Sequence, residues 1–188
     1  MIIDNGSPKD LTKRLIELCY KNDKRAQIEL YNKYAKAMYN VCLNIVYDPV
    51  NAEDLMQEAF ISAFKNLKSF KAEVSFGAWL KKIVINKCID FLKQKRVSFE
   101  SLDTMQDYID YEVNTNEEDQ IILQEKIETI KKTIAQLPEG YRTIMSLYLF
   151  EGYDHDEISE ILHISSSTSR SQYARAKALL VKKIKDKV

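Results

Sequence analysis

The sequence predicts an all-α protein made of two small helical domains joined by an acidic flexible linker. Three observations predict it. Gly 4 and Pro 3 in 188 residues are too few for a many-turned β-sandwich or a Gly-rich α/β nucleotide fold. Apolar residues recur at helical spacing over residues 1–97 and again over 125–188. Between them, Ser98 to Gln124 holds eight acids and no Lys or Arg. Only scattered apolar residues (Leu102, Met105, Tyr108, Ile109) interrupt that stretch, and Asn114-Thr115-Asn116 is a polar break. The expected division is 1–97, a tether over 98–118, and 119–188.

In the first unit, Ser7-Pro8-Lys9-Asp10 reads as a cap, a proline at the first helical position and an acid in the first turn. A helix follows to about Tyr20. Asp23 caps a second, long helix ending near Tyr47. Asp48-Pro49 stops it and opens a third, running to about Lys68. Ser69 to Ser75 is a loop, and Ser75 caps a fourth helix from Phe76 to about Arg96.

Four more helices are expected in the second unit. The first spans about 119–136 and ends before Pro138; the next spans about 139–150 and is closed by Gly152. Asp154 with Glu157 three residues later is a capping-box pattern for the third. Leu162-His163-Ile164 is a tight turn, and the last helix runs from about Ser166 to Lys185.

The formal charge of zero conceals an uneven distribution. Outside the acidic stretch stand 28 bases against 20 acids, and Arg170 to Val188 holds seven bases and one acid. A basic protein with an acidic insert suits an anionic partner such as nucleic acid, although ordinary solvated helix faces carry similar charge. Three cysteines and no apolar start argue against a secreted, disulfide-stapled chain, and no run reaches the roughly 20 apolar residues of a membrane span. The expectation is a cytoplasmic protein with reduced thiols.

On the third helix, with Phe60 taken as inward, Met56, Ala59, Ala63, Phe64 and Leu67 gather on its side. Asp54, Glu58, Ile61 and Lys65 then face away, with Leu55 nearby. That mixture reads either as a protein-binding patch or as a solvated face with two stray apolar residues. The fourth helix is apolar on more than one side, which implies central packing, with Lys81, Lys82, Asn86, Lys87, Asp90, Lys93, Lys95 and Arg96 between. Bases interleaved with aromatics suit a single-stranded nucleic-acid surface. Trp79 is either core or a stacking platform, and Asn86 is either a satisfied core amide or a reader of a base edge.

The last two helices have helix-turn-helix spacing. Ile158, Ile161 and Leu162 point inward from the first, Ile164 plugs the turn, and Ser169, Tyr173, Ala176 and Leu180 form the inward stripe of the second. Ser167, Thr168, Ser171, Ala174, Arg175 and Ala178 then face outward. Small residues admit close approach to bases, Arg175 suits guanine, and Ala174 suits a thymine methyl. Arg170 and Lys177 flank the stripe, where phosphate contacts fit. A plain helical hairpin shares the same spacing.

No catalytic site is legible. His155 lies beside a helix cap and His163 in the turn, neither at a spacing that specifies a metal site or triad. No cofactor, metal or small-molecule substrate is expected. Cys19, Cys42 and Cys88 read as buried thiols, and there is no phosphate loop or dinucleotide glycine pattern.

Taken in order, these motifs resemble a bacterial RNA polymerase sigma factor of the extracytoplasmic-function (ECF) group, over nearly all of residues 13–185. Asn51-Ala52-Glu53-Asp54-Leu55-Met56-Gln57-Glu58-Ala59-Phe60 resembles the polymerase-binding helix of region 2. Ser75-Phe76-Gly77-Ala78-Trp79-Leu80, with Ile83, Asn86, Asp90 and Lys93 to Arg96, resembles its promoter-melting segment. Leu137-Pro138-Glu139-Gly140-Tyr141-Arg142 resembles the opening of region 4, and Glu157 to Leu162 with Thr168 to Lys177 its helix-turn-helix. Three positions depart from the family pattern: His163 and Ser167 stand where glycines are usual, and Ser169 where a branched apolar residue is usual.

The resemblance implies a non-enzymatic subunit that gives polymerase its promoter choice. It places Asp54, Leu55, Gln57, Glu58 and Ile61 against the clamp helices of the polymerase largest subunit, and implies a further contact with the flap of the second-largest subunit. It places the minus-ten element on Lys68, Ser69, Phe70, Lys71, Lys81, Lys82, Asn86, Lys87, Lys93 and Arg96, with a flipped base held between the loop 68–75 and Asn86. It places the minus-thirty-five duplex on Ser167, Thr168, Arg170, Ser171, Gln172, Ala174, Arg175 and Lys177. An anti-sigma factor, often membrane-anchored, is the family's usual partner. The rival reading is a stand-alone helix-turn-helix regulator that dimerises through its N-terminal unit. A third is a helical adaptor with no DNA role.

Overall fold

The computed structural model describes residues 8–99 and 118–186, with side chains described over 11–95 and 127–186. Eight α-helices and one 3-10 turn account for the described elements, which include no strand. The chain divides into two compact units, Met1–Lys93 and Gln94–Val188. The cap expected at Ser7 and nearly all of the tether expected over 98–118 lie outside the described residues.

The first unit contains α1 (Pro8–Tyr20), α2 (Lys24–Val46), α3 (Pro49–Lys65), a 3-10 turn (Leu67–Ser69) and α4 (Phe76–Phe99) as far as Lys93. Its helix starts obey local chemistry. Asp23 accepts hydrogen bonds from the Arg25 and Ala26 N–H groups at 2.8 and 3.2 Å. Asp48 accepts from the Asn51 N–H at 2.9 Å, with Pro49 in the first turn where no N–H is missed. Ser75 Oγ accepts from the Ala78 N–H at 3.2 Å and starts α4. Tyr47 closes α2 in the left-handed region, its N–H on the Leu43 carbonyl.

Two boundaries differ from expectation. The third helix ends at Lys65 rather than near Lys68, because Asn66 turns its own side chain back onto the Ser62 carbonyl at 3.0 Å and the backbone tightens into the 3-10 turn. The fourth runs on through Phe99, past the expected end near Arg96.

The core of this unit forms where α1 and α3 pack on α2. Ala52, Ala59 and Ala63 are fully buried along α3, and such small side chains let helix axes approach closely. Their stripe sets which face of α3 is inside. Its centre lies about 80° round from Phe60, at about 100° per residue. Leu55 therefore falls within the buried arc and is 6% exposed. This corrects the placing of Leu55 beside the outward patch. On α4, Phe76, Leu80, Val84, Ile85, Cys88, Ile89 and Leu92 are buried over a wide arc. Gly77 lets the Tyr34 ring lie close where α4 starts: a Cβ there would stand 3.0 Å from the ring, which would have to shift slightly.

The second unit contains α5 (Glu118–Ala135), α6 (Glu139–Leu149), α7 (His155–Leu162) and α8 (Ser166–Lys185). All of α5, α6 and α7 pack on α8, around Ile134, Leu137, Ile144, Met145, Leu147, Ile158, Ala176 and Leu180. Buried Arg142 donates to the Ala135 carbonyl at 3.1 Å and so closes the C-terminal end of α5 across the Pro138 break. Gly152 has φ +77, a backbone state that a β-carbon resists, and it carries the chain from α6 into α7.

Candidate nucleic-acid and partner interfaces

The helix-turn-helix is built by three local devices. Asp154 Oδ1 accepts from the Asp156 and Glu157 N–H groups at 2.9 and 2.8 Å, while Glu157 accepts from the Asp154 N–H at 2.9 Å, completing the expected capping box. His163 ends α7 at φ 56, the left-handed state that glycine adopts most readily. Ser165 then caps α8, accepting from the Thr168 N–H at 3.0 Å. Ser166 reaches back to Asp156 at 2.5 Å and ties the two helices across the turn.

On α8, Ser167, Arg170, Ser171, Ala174, Arg175, Lys177 and Ala178 are exposed, while Ser169, Ala176 and Leu180 are buried. Two expected DNA-facing residues are drawn inward. Thr168 is half-buried with its hydroxyl 2.7 Å from Ser165 Oγ, so it belongs to the cap. Gln172 is half-buried, and its Oε1 lies 3.9 Å from the place of a Cβ on Gly140.

The sequence reading missed what holds α8 in place. His155 stacks on Tyr148 (centroids 4.9 Å, 20° between planes), and both rings meet Tyr173, at 5.5 and 4.5 Å. His155 Nδ1 lies 3.0 Å from the buried Ser169 Oγ. Burial pushes the Tyr173 phenol up, and the neighbouring Tyr148 adds to the rise. The signal available in the sequence was the coincidence of a polar Ser169 on the inward stripe with a histidine one helix earlier.

In the first unit, Asp54, Gln57, Glu58 and Ile61 are exposed together on α3, with Ile61 55% exposed. A groove runs beside them, lined by Lys24, Gln27, Ile28 and Tyr31 of α2 and by Gln57, Phe60, Ile61 and Phe64 of α3. Lys24, Gln27, Ile28 and Tyr31 follow helical spacing, so this contribution of α2 was readable in principle.

The loop 70–75 and α4 form the other face of interest. Phe70 is half-buried, its ring 5.7 Å from Phe76 and 5.3 Å from Trp79, and Phe76 also meets Tyr34 at 5.4 Å. Lys68, Ser69 and Lys71 are exposed. On α4, Asn86 is exposed, which excludes the core-amide alternative, and Lys82, Asp90 and Lys93 share its face. Lys81 lies about 140° round from Asn86 and is half-buried, so the helix does not bring these two together. Lys87 turns toward α3 and pairs with Glu58 at 3.4 Å. The Arg96 side chain lies outside the described residues. Among the described residues no cluster of three or more His, Cys, Asp or Glu could hold a metal ion. No described helix is long and apolar enough to cross a membrane.

Two family models match the chain, Sigma-70 region 2 over residues 30–97 and Sigma-70, region 4 over residues 127–180. The RNA polymerase sigma-H factor of Pseudomonas aeruginosa is 32% identical over 176 residues, covering 90% of this chain and 91% of that one. The chain belongs to the ECF group of RNA polymerase sigma factors. A further relative of this sigma factor is the ECF RNA polymerase sigma factor SigW of Bacillus subtilis, 29% identical over 191 residues, covering 94% and 98% of the two chains. The fold is also that of the sigma factor RpoE of Bartonella quintana, solved in complex with the anti-sigma factor NepR. There the TM-score is 0.61 at 18% identity, over 84% of this sigma factor and 95% of that chain. The region 2 match takes in α3, the loop and α4 up to residue 97, and the region 4 match takes in α7, the turn and α8 up to residue 180. Helix α1 precedes both.

Proposed function

We propose that the two units of this sigma factor divide promoter recognition, with core RNA polymerase holding them at the right spacing. As an ECF-type sigma factor, the protein binds core polymerase and directs promoter-specific transcription initiation. The observation that carries this is the presence of both sigma regions, in order, in one chain.

In this reading residues 1–97 bind polymerase and melt the minus-ten element, 98–118 form the tether, and 119–188 bind the minus-thirty-five element. The α3 face of Asp54, Gln57, Glu58 and Ile61 meets the clamp helices of the polymerase largest subunit, with Leu55 supporting it from beneath. Region 4 also meets the flap of the second-largest subunit. The exposed Lys82, Asn86 and Lys93 face, with Lys68, Ser69 and Lys71, takes the melted minus-ten strand. Unstacking costs a few kcal/mol per base, so the freed base must be captured as it leaves the duplex. Arg175 reads a base edge in the minus-thirty-five major groove, and Arg170 and Lys177 hold phosphates. The protein performs no chemistry of its own and works in the cytoplasm, where polymerase and promoter meet. An anti-sigma factor that masks both regions is the expected regulator. The support is that RpoE, a protein of the same fold, was solved bound to one.

Two weak DNA contacts on one tether reinforce each other only at correct spacing, so the free protein binds promoter DNA poorly. Run-off transcription with core polymerase over promoter fragments of the source genome tests the reading. Polymerase-dependent initiation at a shared pair of elements is expected. Tight, specific duplex binding without polymerase, and no transcription with it, would move the assignment to a stand-alone regulator.

A further inference from the structure

The loop between the 3-10 turn and α4 must keep a fixed shape if it is to receive a base. Residues 71–75 are all exposed, and Val74, an apolar side chain, is 55% exposed. Ala72 sits at φ 58, in the left-handed region, with no glycine to relieve it. A segment with so little burial does not hold such a conformation by itself. Its far end is secured by the Ser75 cap, and the Phe70 ring, packed on Phe76 and Trp79, draws the near end toward the start of α4.

The near end is secured from α1. The Tyr20 hydroxyl, at the last residue of α1, donates toward the Leu67 carbonyl at 3.3 Å and the Phe70 carbonyl at 3.2 Å. One proton serves two acceptors, so each arm is longer than the usual O–H···O bond of about 2.8 Å. These carbonyls bracket the point where the 3-10 turn ends and the loop begins. Helix α1 lies before the region 2 match, so this tie is supplied from outside the matched segment.

We propose that Tyr20 is a positioning residue for promoter melting: its hydroxyl pre-sets the loop 70–75 in the shape that receives the flipped minus-ten base. The inference rests on the loop and Asn86 holding that base. Pre-setting the loop means its ordering cost is met on folding instead of at each capture, so the effect appears in opening and in base choice.

The test uses the full chain with core polymerase. Three variants are compared with the parent: Tyr20→Phe, which keeps the ring and removes the donor; Cys19→Ala, which loosens the same helix through a buried thiol and keeps the donor; and Asn86→Ala. Each is measured for opening rate on duplex promoter, for opening on a fragment already unpaired at minus-ten, and for discrimination among bases at the flipped position. For Tyr20→Phe the expectation is a loss of about three- to fivefold in duplex opening and in discrimination, the size of one modest hydrogen bond. Polymerase affinity is expected to hold, and the pre-opened fragment to recover most of the rate. Cys19→Ala is expected to leave discrimination intact. Equal losses in Tyr20→Phe and Cys19→Ala would reduce the effect to stability and overturn the proposal. An effect of Asn86→Ala with none from Tyr20→Phe would overturn it while leaving the base-capture reading in place. No effect from either would remove both.

Discussion

The hydroxyl of Ser169 lies 3.0 Å from Nδ1 of His155, and it is the reason a polar residue can occupy the buried stripe of the recognition helix. Ser169 has no solvent exposure, and a buried hydroxyl without a partner costs about 1–3 kcal/mol. The imidazole supplies that partner, and its stacking on Tyr148 holds it in place. The polar residue on the inward stripe is therefore compensated one helix away.

The first prediction follows from that pair. His155→Ala should lower the stability of the C-terminal unit by about 1–3 kcal/mol, through the stranded hydroxyl and the lost stacking. Ser169→Val combined with His155→Leu should recover most of the loss, because an apolar pair needs no partner. Urea unfolding of the parent, His155→Leu, Ser169→Val and the double variant measures the coupling, expected at about 0.5–3 kcal/mol. Strict additivity would show that the two side chains do not act together.

Backbone sign gives a second, opposite pair of outcomes. His163 holds φ 56 and Gly152 holds φ 77. His163→Gly should raise the thermal midpoint, since removing the β-carbon relieves a left-handed cost of about 1 kcal/mol. Gly152→Ala should lower it by a similar amount, and purely through conformation, because nothing stands within 4 Å of the added carbon. A midpoint that moves the same way in both variants would refute the account.

Glu58 joins the two faces of the first unit, through its ion pair with Lys87 at 3.4 Å. The carboxylate side chain is 60% exposed and the lysine 38%, so the pair contributes no more than about 1 kcal/mol and is screened by salt. Glu58→Lys should therefore leave the fold nearly as stable while reducing affinity for core polymerase at least tenfold. Differential scanning calorimetry and a pull-down titration separate the two effects. A large fall in stability with unchanged polymerase binding would place Glu58 in the scaffold instead.

Alkaline pH supplies a fourth prediction. Burial, with Asp23 adding to it, pushes the Cys19 thiol up to about 11 from 9.0. The fold favours the neutral thiol, so this contribution is whole below about pH 9 and is lost as pH rises through 11. The Tyr153 and Tyr173 phenols are raised as well, chiefly by burial, and act in the same direction in the C-terminal unit. Stability should fall above pH 9, and Cys19→Ala should flatten that part of the profile. In the native state Cys19 should resist iodoacetamide at pH 8 and react once urea unfolds the chain.

Most of what the sequence made legible is local. Asp23, Asp48, Asp154 with Glu157, and Ser75 all bond N–H groups within three residues of themselves. A cap needs nothing from the rest of the molecule, so helix starts can be read from residue type and spacing. The outward face of α8 was legible for the same reason, since small and basic residues there alternate with a well-defined inward stripe. What misled was Leu55. Periodicity defines an apolar arc but not its centre, and the centre is set by the alanines that admit the neighbouring helix.

By itself, then, the sequence determined the all-helical class, the caps at Asp23, Asp48, Ser75 and Asp154, the helix-turn-helix and the family resemblance, because each depends on bonds or patterns spanning a few residues. The tertiary structure decided which face of α3 is buried, that Lys87 turns to Glu58, that Ser169 meets His155, and that Tyr20 ties down the loop. These join residues 29, 14 and nearly 50 positions apart. No local rule specifies such partners, because their choice depends on how the packed helices align, and that alignment is the joint outcome of every buried side chain between them.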